Sequence, residues 1–193
     1  MDKVEIMNYF DKLAPDWDKG EKKNPDVMNA ILDNACIERD KSVLDVACGT
    51  GVMFPYYLER GVKDICGVDI SGEMIKAAGN KFPQKEIRLY NVAAEDFSPD
   101  RKFDRIMIFN AFPHFINPEE LISHLSGLLN EGGVLSVAHS MCRRVLDLHH
   151  RDCADGIARK LMPAEELEAI FSKYLKVTIS VDNDKMYQVC GKL

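Results

Sequence analysis

Short apolar, β-branched runs alternate along this chain with segments whose apolar residues recur at helical spacing. Ser42 to Ala47 follows the polar Arg39-Asp40-Lys41 and runs into Gly49 and Gly51, which predicts a buried strand breaking into a tight turn. Asp64 to Asp69, Ile87 to Val92, Phe103 to Asn110 and Val134 to Ser140 predict four further strands. Helices are predicted between them. Asn24 caps and Pro25 opens one that runs to about Cys36, with Val27, Ile31 and Leu32 inward. A second spans Val52 to Arg60 and stops at Gly61; a third, capped by Ser71, spans Gly72 to Lys81. Asn117, Pro118 and Glu120 form a capping-box arrangement for a fourth, whose stripe Leu121, Ile122, Leu125, Leu128 and Leu129 ends at Gly132-Gly133. A last helix from Pro163 carries Leu167, Ile170, Phe171 and Tyr174 inward. Lys176 to Val181 and Met186 to Gly191 alternate around Asp182-Asn183-Asp184, an antiparallel hairpin. The alternation predicts a single α/β domain over residues 1–193 with a seven-stranded, mostly parallel sheet.

Two segments stand outside that pattern. Residues 4–20 mix Tyr9, Phe10 and Trp17 with Asp11, Lys12, Asp16 and Asp18, and Pro15 interrupts them, so a short helix and a loop are expected. Residues 141–162 are crowded with charge and histidine, among them Arg143, Arg144, Asp147, His149, His150 and Asp155.

The turn after the first strand narrows the choice of ligand. Gly49 and Gly51 lack a Cβ and can turn their N–H groups toward polar or anionic atoms. Asp45 just before them would repel pyrophosphate and suits a cationic or amine-bearing ligand. The dinucleotide pattern G-x-G-x-x-G also fails, because Phe54 occupies the third glycine position.

Asp45-Val46-Ala47-Cys48-Gly49-Thr50-Gly51 resembles motif I of the class I S-adenosylmethionine (SAM) methyltransferases, and the small UbiE/type-11-like members are most similar. The resemblance covers nearly the whole chain. It implies a Rossmann-like three-layer α/β/α sandwich with strand order 3-2-1-4-5-7-6, SAM as cofactor and S-adenosylhomocysteine (SAH) as product. Asp45, Ala47, Cys48, Gly49, Thr50 and Gly51 would lie against the methionine part. Asp69, at the end of the second strand, would take the ribose hydroxyls, since one carboxylate accepts two hydrogen bonds at once; Ile70 and Met74 would flank adenine. The family pattern after the third strand is Asp-Ala-Glu. Here Ala93 replaces the first acid, which leaves Ala94, Glu95 and Asp96 to read the base. Asn110, Ala111 and Phe112 would surround the reacting methyl. Tyr9 to Asp18 resembles the family's "YFD…A…WD" segment, so residues 1–36 are expected as an N-terminal helical lid in which Tyr9, Phe10 and Trp17 cover the cofactor or plug the core edge. Phe115 and His149 are acceptor-side candidates, with residues 141–162 as an acceptor-side insertion. Asn110-Ala111-Phe112-Pro113 differs from the Asn/Asp-Pro-Pro-Tyr motif of methyltransferases acting on nucleic acid bases.

Charge points the same way. The net charge is −6 and the longest basic runs are the pairs Lys22-Lys23 and Arg143-Arg144, so a nucleic-acid partner is not expected and a small-molecule acceptor is. The six cysteines make no Cys-x-x-Cys pair, and the N-terminus has no apolar core, which leads to the expectation of a cytoplasmic protein without a membrane partner. Oligomeric state is not legible.

Methyl transfer from a sulfonium is an in-line displacement needing alignment and a dry site, and a heteroatom acceptor needs a base. His114 in the loop after the fourth strand and His139 at the end of the fifth are the candidates, because imidazole titrates near neutrality. His124 is expected to be solvated. A metal site from His139, Cys142, His149, His150 and Cys153 matches no standard spacing, so no metal is expected. Two alternatives remain at this point: a non-catalytic SAM-binding sensor, and a nicotinamide-dependent oxidoreductase, against which the lack of a Tyr-x-x-x-Lys pair also speaks.

Overall fold

The computed structural model describes residues 2–19, 24–153 and 156–193, with side chains described up to Leu148 and again from Gly156. Seven strands, β1 (Ser42–Val46), β2 (Asp64–Asp69), β3 (Ile87–Asn91), β4 (Phe103–Phe109), β5 (Leu129–His139), β6 (Lys176–Asp182) and β7 (Tyr187–Lys192), form one sheet. Their order is β3-β2-β1-β4-β5-β7-β6, as the family resemblance implies. Neighbours are parallel up to β5, and β7 runs antiparallel to both β5 and β6.

The central strands β1, β2 and β4 are largely buried because helices cover both faces, and their side chains divide by the two-residue period of a strand. Leu44, Val46, Ile106 and Ile108 face one core with Leu121, Ile122, Leu125, Leu167 and Phe171, from the helices α5 (Pro118–Gly127) and α7 (Ala164–Phe171). Val43, Met107 and Phe109 face the other core with Met28, Ile31, Leu32, Phe54, Tyr57 and Ala78, from α2 (Pro25–Asn34), α3 (Phe54–Glu59) and α4 (Gly72–Lys81). The remaining helices, α1 (Lys3–Leu13) and α6 (Arg143–Cys153), lie at the carboxyl end of the parallel strands. Among the described residues no helix is long and apolar enough to cross a membrane.

Several expectations need correction. The expected lid of residues 1–36 divides: α2 is core, with Met28, Ile31 and Leu32 fully buried, so only the segment up to Lys19 covers the sheet edge. The helix after the glycine turn begins at Phe54 instead of Val52, since residues 51–53 remain in turns. Strand β5 starts at Leu129, five residues early. Gly132, at φ +71°, and a register shift against β4 let the extended chain pass through the glycines that were expected to stop a helix. Asn117 does not cap through its side-chain oxygen; its amide donates to Glu120 Oε2 at 3.0 Å, a bond to a charged acceptor that the backbone N–H groups do not match. His124 is half-buried, with Nε2 3.0 Å from the Phe97 carbonyl oxygen.

One polar residue pins α2 to the sheet. Gln188 on β7 is fully buried; it donates to Ile31 O at 2.9 Å and Ser136 Oγ at 3.0 Å, and accepts from Asn34 Nδ2 at 2.9 Å. Gln188→Leu removes these three bonds while Ile31 O keeps Ala35 N, Ser136 Oγ keeps Cys190 Sγ and half-buried Asn34 turns to water, so urea unfolding is expected to show a loss of about 1–2 kcal/mol.

Candidate functional site

The carboxyl ends of β1, β2 and β4 open onto a cavity of about 640 Å³, roofed by α1 and the turn that follows it. Ligands bind at this edge of open parallel sheets because the loops there diverge. Its floor is built by strained backbone. Ala47, Gly49 and Gly51 lie at φ +54°, +55° and +83°, so the chain leaves β1 in successive left-handed steps. Asn110, at the end of the adjacent β4, is also left-handed at φ +53°. The Asn110 side chain supports that conformation: Oδ1 accepts from Ser140 N at 2.9 Å and Nδ2 donates to Ser140 Oγ at 3.1 Å. Two non-glycine residues in this region on neighbouring strand ends mark a site where geometry outranks local comfort. At Gly51 a Cβ would stand 2.5 Å from the Phe54 ring, so this position excludes every other residue.

Asp69 binds the loops to one another. Its Oδ2 accepts from Gly49 N at 2.8 Å and its Oδ1 from Ser71 N at 2.8 Å, so one carboxylate joins the glycine turn to the start of α4. Burial raises its pKa to about 6, against those two hydrogen bonds, and Asp11 pushes it further up. Asp45, on the neighbouring strand, is almost wholly buried. Its Oδ2 has no hydrogen-bond partner among the described residues, and burial together with Asp69 holds its pKa well above the carboxylate range. Burial also pushes up the Cys48 thiol, which keeps it protonated and unreactive.

Of the residues singled out in the sequence, the cavity wall carries Tyr9, Phe10, Trp17, Ala47, Cys48, Gly49, Asp69, Ile70, Met74, Ala94, Glu95, Asn110, Ala111, His114 and Phe115. Six stand off the wall. Asp45, Thr50 and Phe112 are buried behind it, and Gly51 shapes the turn from behind. Asp96 points outward to Lys3 Nζ at 2.9 Å. His139 is fully buried beside the Tyr187 ring, 6.1 Å between centroids, and its side chain is not on the cavity wall. The side chain of His149 lies outside the described residues, as do those of His150 and Cys153. Among the described residues no three His, Cys, Asp or Glu side chains are grouped to hold a metal ion.

His114 stands on the wall between two elements. Its Nδ1 lies 3.0 Å from Ile157 O, and Arg159 N donates to Pro113 O at 2.9 Å, so the segment after α6 docks on the loop after β4. A carbonyl only accepts, so Nδ1 carries the proton and the basic lone pair of the neutral ring is on Nε2. The ring packs edge-on against Phe10 at 4.9 Å, and Phe10 in turn against Trp17 at 5.6 Å. Sequence reasoning missed Ile6, Ile116, Met141 and Leu146, which complete an apolar wall; no motif marks them, since an apolar residue facing a cavity looks like one facing the core.

Comparison with known proteins fits this geometry. Residues 17–174 match a family described as a methyltransferase domain. The chain belongs to the class I SAM-dependent methyltransferase family. The nicotinamide alternative falls away with that assignment. A ubiquinone biosynthesis O-methyltransferase of Coxiella burnetii is 28% identical over 145 residues, covering 70% of this chain and 61% of that protein. The chain spans between 47% and 61% of the length of the curated relatives it first matches. In structure it resembles a chain from the complex between the Haloferax volcanii Trm112 methyltransferase activator and a protein described as a putative methyltransferase, with TM-score 0.81, 17% identity and 97% and 96% of the two chains covered. The N-methyltransferase NodS of Bradyrhizobium japonicum with bound SAH superposes with TM-score 0.73 at 13% identity, covering 98% of this chain and 97% of that one.

The buried acids predict a pH dependence of stability. Asp69 has a folded pKa above its unfolded value, so it binds protons more readily in the native state, and its contribution to stability falls as pH rises from about 4 to about 6. Thermal unfolding of the ligand-free protein at constant ionic strength is expected to show a midpoint that declines over that window, with the decline reduced in Asp69→Asn.

Proposed function

We propose that this protein transfers a methyl group from SAM to a small-molecule acceptor and releases SAH. The observation that carries the reading is Asp69, a buried carboxylate on the cavity wall that braces the glycine turn with one oxygen and the α4 turn with the other. Each oxygen keeps a further lone pair, which suits a ribose diol. SAM supplies an electrophilic methyl on a sulfonium; everything else falls to the chain's own residues. Ala47, Cys48 and Gly49 would hold the methionine part; the carboxyl of Asp45 behind them, whose ionisation burial and Asp69 oppose, would be drawn toward its ionised form by a cationic ligand. Ile70, Met74, Ala94 and Glu95 would hold adenine, with Asn110 and Ala111 beside the reacting centre. This fits a cofactor of that shape: apolar sides for a ring, and two acids for a diol and a cation.

The acceptor would lie between α1 and the loop after β4, against Phe10, His114, Phe115, Ile116, Met141 and Leu146. Such a wall suits an acceptor with an apolar body. His114, held as the Nδ1–H tautomer by Ile157 O, would take the acceptor's proton on Nε2, while Phe10 and Trp17 keep water from the reacting pair.

Calorimetric titration with SAM and SAH, followed by an acceptor screen read as SAH release, tests the reading. The wild-type chain is expected to bind both, and Asp69→Ala to weaken both at least about tenfold, roughly 1.4 kcal/mol or more. A chain that binds neither removes the cofactor, and unchanged affinity in Asp69→Ala removes Asp69 from the site. With a turned-over acceptor, His114→Gln is expected to lower kcat about 100-fold or more with cofactor affinity unchanged; wild-type kcat in that variant would place the base elsewhere.

A further inference from the structure

The lid carries two aspartates, Asp11 and Asp18, that the chemistry above leaves without a role. Each reaches across a long stretch of sequence to one of the two turns under the cavity. Asp11 Oδ1 accepts from Ser71 Oγ at 2.5 Å and from Glu73 N at 3.2 Å, so it caps α4 from outside. Ser71 is thereby held twice, since its N–H donates to Asp69. Asp18 accepts from Thr50 Oγ1 at 2.7 Å and from Lys81 Nζ at 2.8 Å, and Lys81 donates to Thr50 Oγ1 at 3.2 Å, which closes a triangle on the glycine turn. Between the two latches Trp17 lies over Gly49, with its indole Nε1 3.7 Å from where a Cβ of Gly49 would stand.

We propose that Asp11 and Asp18 are positioning residues for the cofactor: bringing the lid down completes the hydrogen bonding of the ribose turn and the glycine turn, so these two carboxylates set how tightly the cofactor is held and how fast it leaves. The proposal rests on the SAM-binding reading above. It follows from the separation of donor and acceptor in the chain: the bonds to Asp11 and Asp18 form only with the lid down, and each stiffens a turn that faces the ligand. Both latches are solvent-edged, which leaves them weak enough to open for exchange.

A charge effect separates positioning from mere support. The groups that face Asp69 from the packed elements are Asp11 on α1, Asp45 on β1 and the Cys48 thiol on the turn, all acidic or neutral. Removing the Asp11 charge therefore lowers the pH at which Asp69 ionises.

The test is titration of the full chain with SAH across about pH 5 to pH 8 at fixed ionic strength, with SAH release followed by stopped flow. Asp11→Ala and Asp18→Ala are each expected to weaken SAH binding about tenfold, chiefly through faster release. Asp11→Asn keeps the acceptor oxygen and is expected to recover most of the affinity while moving the pH midpoint of binding to lower pH. Lys81→Gln breaks the second latch from the α4 side, and its effect is expected to be non-additive with Asp18→Ala. Lys12→Gln, a lid change outside both latches, is expected to bind as wild type does. Wild-type affinity and release rate in Asp11→Ala and Asp18→Ala overturn the proposal, as does an equal loss in Lys12→Gln or additivity of Asp18→Ala with Lys81→Gln. Should Asp11→Ala fail to fold, the Lys81 and Asp18 variants decide alone. A wild-type chain that binds no SAH overturns the cofactor reading instead, so the two failures are told apart.

Discussion

The structure depends on one carboxylate at the end of one strand. Parallel strands deliver their carboxyl ends to a common edge, where single backbone bonds such as Cys48 N to Val68 O begin to hold the loops and a side chain has to join one loop to the next. Asp69 does so by accepting one N–H from the glycine turn after β1 and one from the turn that opens α4. An acid buried to this degree resists ionisation, and the two backbone N–H groups offset part of that resistance. The same two bonds place the carboxylate on the wall of the cavity, so the group that organises the loops also faces the ligand.

Around it the chain accepts backbone strain and unsatisfied polarity. Ala47 and Asn110 adopt left-handed backbone without being glycine, and Asp45 keeps a buried oxygen with no partner among the described residues. Each feature disfavours the ligand-free state, and the packing of two well-filled cores on either face of the sheet tolerates them. The arrangement suits a positively charged ligand, because two buried acids that repel each other gain from a cation nearby.

The cover is built from different material. Helix α1 begins with a capping box in which Asp2 accepts from Val4 N and Glu5 N while Glu5 accepts from Asp2 N. With the turn that follows, it rests on the rest of the molecule through the ion pairs of Lys3, the hydrogen bonds of Asp11 and Asp18 and the edge-to-face contact of Phe10 with His114. Few of its residues are buried, whereas Val27, Met28, Ile31 and Leu32 of α2 are, so a lightly anchored helix and a core helix are adjacent in the chain. Buried apolar area makes that difference, since part-exposed polar contacts exchange readily with water.

The alternation of apolar runs determined the α/β class, the strand count and the hairpin, because burial on both faces imposes its period on the residues themselves. The motif around Gly49 and the acid at position 69 located the cofactor half of the candidate site, since left-handed turns and strand-end carboxylates are demanded by local geometry that few residue types meet. Where side chains end relative to the core was decided only in three dimensions: His114 and His139 are both candidates in the sequence, His114 the first, yet one borders a cavity and the other is enclosed beside Tyr187. Tertiary structure alone also decided that α2 is core and α1 is cover. Only folding brought Asp11 to Ser71 and Asp18 to Thr50, pairs 60 and 32 residues apart, because a hydrogen bond across such a span leaves no period and no spacing in the chain to read.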